Sequence, residues 1–261
     1  MPRIDIAERP GVDLAGRPRP TEDRVVLHVD DTASTAVVLD GATEVRPGLP
    51  SGGWYSRRLA DAIEARLRSD PTEDLGALLA HAIGAVARDH DLVPRRSPSS
   101  TVAMLRFSAD DVEALVLADS PVVVYTADGP EIVLDDRLDR LRAAGALRTR
   151  AAVDALRNDD AGFWVAEAVP EAATRALRRR WPREEVDAAV LATDGVSVGI
   201  DTYGVLSWAD LLSLARTSGA DAVLETVRDA ELADADCRRW PRSKRHDDQA
   251  LVVIDFAVEQ G

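Results

Sequence analysis

At 261 residues the chain is long enough for one large domain with a sizeable core, and a 46% hydrophobic content marks a globular rather than a disordered protein. A formal charge of −14 argues against nucleic acid as the main partner, because a phosphate backbone demands a basic surface. No apolar run is long enough to span a bilayer, Met1–Pro20 lacks the apolar stretch of a secretory signal, and Cys237 is the only cysteine. A cytoplasmic protein with no membrane partner and no intrachain disulfide is therefore expected. Lys244 is the only lysine; every other Lys/Arg position is arginine, which with the many alanines reads as the composition of a GC-rich genome.

Residues 1–21 are rich in Pro, Gly and Arg without a period and read as an irregular lead-in to a single domain spanning residues 1–261. Strands are expected at Arg24–Val29 and Thr35–Asp40. Within the second, Ala36-Val37-Val38-Leu39 is apolar at every position, as suits a strand covered on both faces, and it stops on Asp40-Gly41. A carboxylate at the end of a buried strand is costly unless it meets a cation or leaves the core. Amphipathic helices follow at Tyr55–Arg68, where Leu59, Ile63 and Leu67 recur every four residues, and at Glu73–His90. Pro94–Ser99 breaks the pattern.

Four strands come next, at Thr101–Phe107, Val112–Ala118, Val122–Thr126 and Glu131–Leu134; their hairpin-length connections favour antiparallel neighbours. The charged, alanine-rich stretch Asp135–Asn158 is expected to form one or two helices, and is the place for a lid. Phe163–Ala166 reads as a short strand and Glu171–Arg180 as a helix crowded by arginine at its end. The apolar-run-then-Asp-Gly pattern returns at Val190-Leu191-Ala192-Thr193-Asp194-Gly195, with a loop expected after it. Helices at Trp208–Thr217 and Asp221–Ala235 lead to a last strand at Ala250–Phe256, which Asp247-Asp248 precede. The pentapeptide Arg-Arg-Trp-Pro-Arg occurs at 179–183 and 238–242, too short to imply duplication; it reads as a solvated helix end with a tryptophan anchor. Helices do not alternate strictly with strands, so an α+β fold with antiparallel sheets is favoured over a doubly wound one. Asp40 and Asp194 at strand ends and Asp247 at a strand start can then meet at one sheet rim, which is a metal-site pattern.

With these pieces in order, the chain resembles the metal-dependent Ser/Thr protein phosphatases of the phosphatase 2C family, bacterial type. Thr21-Glu22-Asp23-Arg24 resembles the family's Asn-Glu-Asp motif, and Val38-Leu39-Asp40-Gly41 its Asp-Gly motif. Ser99-Ser100-Thr101 is similar to Gly-Ser-Thr, Ala118-Asp119-Ser120 to Gly-Asp-Ser, and Thr193-Asp194-Gly195 to Ser/Thr-Asp-Gly. Asp247-Asp248 stands where the family has Asp-Asn. The resemblance implies a four-layer αββα sandwich of two antiparallel β-sheets flanked by helices. It implies two Mn²⁺ or Mg²⁺ ions, with Asp40 bridging both, Asp194 and Asp247 completing one, and the Gly41 carbonyl with Glu22 serving the other. Hard oxygen ligands suit these ions. The implied activity is hydrolysis of phosphoserine and phosphothreonine in a phosphorylated protein substrate by a metal-activated water.

The chain also departs from the family pattern. The phosphate-gripping arginine's place is Pro18, flanked by Arg17 and Arg19, either of which is a candidate for that role. Ala42 stands where many members have a histidine; His246 is a substitute candidate, although strand neighbours face opposite ways and a surface histidine is the plainer expectation. Asp119 matches a ligand of a third ion, but Val198 replaces another. Two rival readings follow: a pseudophosphatase that binds a phosphoprotein or signalling partner, or a phosphohydrolase for a small metabolite, for which a pocket capped by Asp135–Asn158 would argue. The sequence carries no signal for oligomeric state.

Overall fold

The computed structural model describes residues 1–42 and 48–257. Among the described residues ten strands form two antiparallel sheets of five. Strands β1 (Arg3–Arg9), β2 (Asp23–His28) and β3 (Ser34–Asp40) precede helices α1 (Gly52–Ser69) and α2 (Leu75–Asp89). Strands β4 (Val102–Phe107), β5 (Asp111–Leu117), β6 (Val122–Thr126) and β7 (Gly129–Val133) lead to short helices α3 (Arg137–Ala143) and α4 (Arg150–Leu156). Then follow β8 (Leu177–Pro182), β9 (Ala188–Ala192), α5 (Asp194–Asp201), α6 (Trp208–Ser218), α7 (Ala220–Ala233) and β10 (Gln249–Asp255). One sheet has the order β1-β10-β9-β6-β7 and the other β2-β3-β4-β5-β8.

The all-apolar strands explain the layering. Along β3, Ala36 and Val38 point into the core between the sheets, where they join Ala103, Leu105, Val122, Leu191 and Val252. Their neighbours Val37 and Leu39 face the other way, against Tyr55, Leu59 and Ile63 of α1 and Leu78, Leu79 and Ile83 of α2. The second sheet repeats this arrangement: Val123, Val190 and Leu251 meet Leu211, Val223 and Leu224 of α6 and α7. The result is the expected αββα sandwich, with every central strand covered on both faces. Ser51 caps α1 by accepting the Trp54 N–H, and Ser207 and Asp210 form a reciprocal capping box at α6.

Three expectations are corrected. The lead-in is not irregular throughout, since residues 3–9 form β1, paired along its length with β10. The arginine-rich segment expected as a helix is instead a 3₁₀ turn at Pro170–Arg175 followed by β8, the edge strand beside β5. Its arginines project outward, where charged side chains discourage pairing with another chain. The residues after Asp194 form α5 rather than a loop.

Candidate metal centre

The sheet topology brings five carboxylates to one rim. β2 and β3 are antiparallel neighbours, and their register sets Asp23 directly opposite Asp40. β9 and β10 are neighbours in the other sheet, so Asp194, just past the end of β9, stands close to Asp247, just before β10. Asp119 enters from the link between β5 and β6, which crosses from one sheet to the other.

Backbone contacts fix these positions. The Asp40 N–H donates to Thr101 Oγ1 at 3.1 Å and its carbonyl accepts from Ser100 Oγ at 2.9 Å, which accounts for the Ser-Ser-Thr ahead of β4. Thr193 Oγ1 accepts from the Ala250 N–H at 3.0 Å and donates to Asp23 Oδ2 at 2.8 Å, so one hydroxyl joins both sheets. A Cβ on Gly41 would lie 2.5 Å from the Gly52 carbonyl carbon, and one on Gly195 would lie 1.8 Å from the Asp248 carbonyl oxygen. Both Asp-Gly glycines thus permit close backbone packing. Ala118 stands where the family motif has glycine and takes a left-handed φ of 70°, a conformation costly for a residue with a Cβ, and so aims Asp119 at the rim.

The site is strongly acidic. Asp23 and Asp119 are buried, whereas Asp40, Asp194 and Asp247 keep part of their surface open to a cavity of about 380 Å³. Burial, then the charges of Asp194, Asp23, Asp247 and Asp119, pushes Asp40 well above the usual carboxylate range. Burial, with Asp247 and Asp119 beside it, raises Asp194 to about 7, and it shares a hydrogen bond with Asp40. Asp23 is raised by burial and by Asp248, against the lowering effect of the Thr193 hydrogen bond. For Asp119 burial again dominates, opposed by Arg142.

Among the described residues, two basic side chains are bonded to this cluster. Lys244 Nζ is bonded to Asp247 Oδ1, and Arg142 from α3 donates to Asp119 Oδ2 at 2.9 Å. Burial would lower the Lys244 ammonium, but Asp247, Asp40 and Asp248 outweigh it and hold the group above its ordinary value. Both cations also line a second cavity of about 240 Å³ on the α5 side, which includes Ser197, Asp201 and Tyr203.

The expected site residues separate into two groups. Asp40, Gly41, Asp119, Asp194 and Asp247 all line the larger cavity. Glu22 turns the other way: its carboxylate meets Arg19 at 3.1 Å beside the start of α1, and its neighbour Asp23 faces the cluster instead. Arg17 is paired with Asp13 at 2.8 Å and exposed, so neither Arg17 nor Arg19 lines the carboxylate cavity. The arginines that do are Arg142, Arg150 and Arg157. His246 is buried rather than on the surface, with Nδ1 2.9 Å from Glu231 Oε2, and burial depresses it to about 4. Asp248, adjacent to Asp247, serves as a backbone tether: Oδ1 accepts the Gly11 N–H at 2.6 Å and Oδ2 the Glu22 N–H at 3.1 Å.

Sequence reasoning missed Asp23, Lys244 and Arg142. The signal for Asp23 was strand alternation, since it and Glu22 necessarily face opposite ways. For Lys244 it was being the one lysine in an arginine-rich chain.

The donor set fits Mn²⁺ or Mg²⁺ in kind: hard carboxylate oxygens, gathered against their own repulsion and open to a cavity. It is not a finished cage, because among the described residues no three His, Cys, Asp or Glu side chains already close on one point as ligands. The protein phosphatase 2C family model matches residues 15–234. The chain belongs to the protein phosphatase 2C family. The fold agrees with solved structures of distant sequence. A bacterial serine phosphatase is 11% identical over 98% of each chain, with a TM-score of 0.64. The catalytic domain of the serine/threonine protein phosphatase PstP, in complex with two manganese ions, is 16% identical over 97% of each chain, with a TM-score of 0.61. The serine/threonine phosphatase Stp1 from Staphylococcus aureus is 13% identical over 98% of this chain and 95% of that one, with a TM-score of 0.63. No curated protein matches the chain.

Proposed function

We propose that this member of the family is a metal-dependent phosphatase acting on phosphoserine and phosphothreonine of proteins in the cytoplasm. The reading assigns two Mn²⁺ or Mg²⁺ ions to Asp40, Asp194 and Asp247, with Asp23, Asp119 and the Gly41 carbonyl around them. The observation that carries it is the convergence of Asp40, Asp194 and Asp247 from two sheets on one open rim, where burial and neighbouring carboxylates disfavour the charges of Asp40 and Asp194. The two manganese ions of PstP, and the magnesium of the similarly folded RsbX, support the choice of metals.

Bound ions would supply Lewis acidity, lowering the pKa of an attacking water and neutralising charge on the phosphoryl oxygens. The chain's own residues set the geometry. Thr101 and Ser100 hold the backbone of Asp40, and Thr193 holds Asp23, so the acidic rim is oriented before substrate arrives. Arg142 and Arg150, from the wall of the larger cavity, offer planar guanidinium groups suited to phosphate oxygens. Leu138, Leu147 and Val153 make the same wall apolar and limit water near the ester.

The test is hydrolysis of a phosphothreonine peptide and of p-nitrophenyl phosphate with Mn²⁺, in the wild type and in Asp194→Asn. Peptide turnover lost in the variant supports the reading. Because residues 135–158 do line the cavity, turnover of the small ester alone would shift the assignment to a small phosphoester. The pseudophosphatase reading is kept by one observation, the engagement of Asp247 by Lys244 and of Asp119 by Arg142, and would prevail if a folded protein turned over neither substrate.

A further inference from the structure

The one lysine of the chain is at the carboxylate rim. Its ammonium is bonded to Asp247, with the charges of Asp40 and Asp248 acting on it, and Asp194 feels it in turn. Its side chain is 18% exposed and lines both cavities, so it stands between them. Elsewhere every Lys/Arg position is arginine, including those in ion pairs such as Arg178 with Glu113 and Arg216 with Asp255. Among the described residues the other ion pairs use arginine or, at His81 and His246, histidine, so lysine at this one place points to a requirement that a guanidinium does not meet. An ammonium is a compact point charge with three donors, whereas a guanidinium is a broad planar fork. Only the former resembles a small cation in size.

We propose that Lys244 is a resident cation that takes the place of one divalent ion against Asp247. The chain then binds one Mn²⁺ tightly, through Asp40 and Asp194, and admits a second only by displacing the ammonium. This inference rests on the carboxylate rim being a divalent-metal site. It accounts for the lack of a finished cage among the described carboxylates, two of which already carry a protein cation. It also accounts for how the metal-free fold tolerates so much like charge: one positive charge offsets part of the repulsion without a bound ion. A fixed charge within a few ångströms of an incoming ion opposes it by Coulomb repulsion, and removing that charge tightens binding by on the order of tenfold or more.

The experiment is calorimetric titration of the metal-free protein with Mn²⁺, in the wild type, Lys244→Met, Lys244→Arg and Asp40→Asn. Thermal melts in the absence of metal accompany each titration. The wild type is expected to take up one ion tightly. Lys244→Met is expected to take up two, or to bind at least about tenfold tighter, and to melt lower without metal and recover with it. Lys244→Arg keeps the charge but not the compact shape, so it is expected to gain no affinity for Mn²⁺ and still to melt below the wild type without metal. If the Met variant fails to fold without metal, Lys244→Gln, which keeps a donor but no charge, gives the same comparison. Equal stoichiometry and affinity in wild type and Lys244→Met, with binding lost in Asp40→Asn, would overturn the proposal and leave the metal site standing. Unchanged binding in Asp40→Asn would instead remove the metal site itself, and the proposal with it.

Discussion

Two groups of buried acid in this protein have opposite surroundings. Glu167 is fully buried, and its carboxylate accepts the N–H of Arg95 at 3.0 Å, the N–H of Ser97 at 3.4 Å, Asn158 Nδ2 at 3.3 Å and Arg157 Nη1 at 3.5 Å. Burial still raises it, but Arg95, Arg157 and Ser97 all act to lower it. Asp40 is surrounded by Asp194, Asp23, Asp247 and Asp119, all of which raise it. A carboxylate placed for stability gathers donors, because an unpaired buried charge is costly. One placed among other carboxylates, beside a cavity, is kept at a cost to the fold that a bound cation would offset. The two sites are separated by little more than β4 and its lead-in: Glu167 accepts from Ser97, and Ser100 bonds the Asp40 carbonyl.

The contrast breaks first at Glu167. Replacing it with alanine removes the nearer carboxylate partner of Arg157, whose side chain is only 6% exposed, and takes away the acceptor of the Arg95 and Ser97 N–H groups. A loss of about 3–5 kcal/mol is expected, read as a lower urea midpoint. Remaining folded protein should still bind Mn²⁺, because no rim carboxylate has been touched. At the rim the same operation has the opposite sign. Asp194→Asn removes a charge that its neighbours oppose, so the metal-free melting temperature should hold or rise by a few degrees, about what 1 kcal/mol is worth at this size. Turnover of a phosphopeptide should fall at least about a hundredfold, more than an outer partner of a metal ligand contributes. A variant that loses stability and keeps turnover would sink the distinction drawn between the two sites.

The rim was more legible than what surrounds it, and the reasons are local. Asp40, Asp194 and Asp247 were visible because each ends or begins an apolar strand, and an antiparallel sheet brings such ends together. The pairing of Asp23 with Asp40, and the turning away of Glu22, followed from strand alternation but required the register. β8 was hidden because its exposed arginines erase the alternation that marks a strand; only Trp181 on its inner face is buried. The repeated Arg-Arg-Trp-Pro-Arg shows how far context overrides local sequence. At 179–183 it lies mostly in β8, while at 238–242 it forms a loop whose N–H groups and Arg242 are held by Asp234. Arg142 came from a segment with no motif, and its role depends on where α3 packs, which periodicity does not encode.

A smaller effect sharpens the contrast through added Mn²⁺. A ligand that binds only the native state stabilises it by about 2.7 kcal/mol at a hundred times its dissociation constant. Mn²⁺ at that excess should raise the melting temperature of the wild type and of Asp119→Asn, and should leave Asp40→Asn unmoved. The three results together would place an essential ligand at the strand end, with Asp119, already held by Arg142, at the periphery.

The smallest effect concerns Glu231, which combines features of both sites. It is buried and well supplied, with His246 Nδ1 at 2.9 Å, Tyr203 OH at 3.3 Å and Arg228 Nε at 3.6 Å, and Arg242 bonds its carbonyl. Burial nevertheless raises it to about 7, opposed by Arg228 and Arg242 and reinforced by Asp247. Between the unfolded value of 4.5 and about 7 the native state therefore binds more protons than the unfolded chain, and stability falls as pH rises through that window. His246 acts the other way: held near 4 against an unfolded 6.5, it makes stability rise with pH over about the same range. The wild-type profile should accordingly be flat where the two overlap. Glu231→Gln keeps the neutral form's shape and removes only the falling contribution, so the variant should gain on the wild type steadily from pH 4.5 to 7 and hold that margin above it. Urea melts at half-unit steps would show it. A margin that does not change with pH would mean that Tyr203 and the two arginines already hold Glu231 ionised, and that it belongs with Glu167 rather than with the rim.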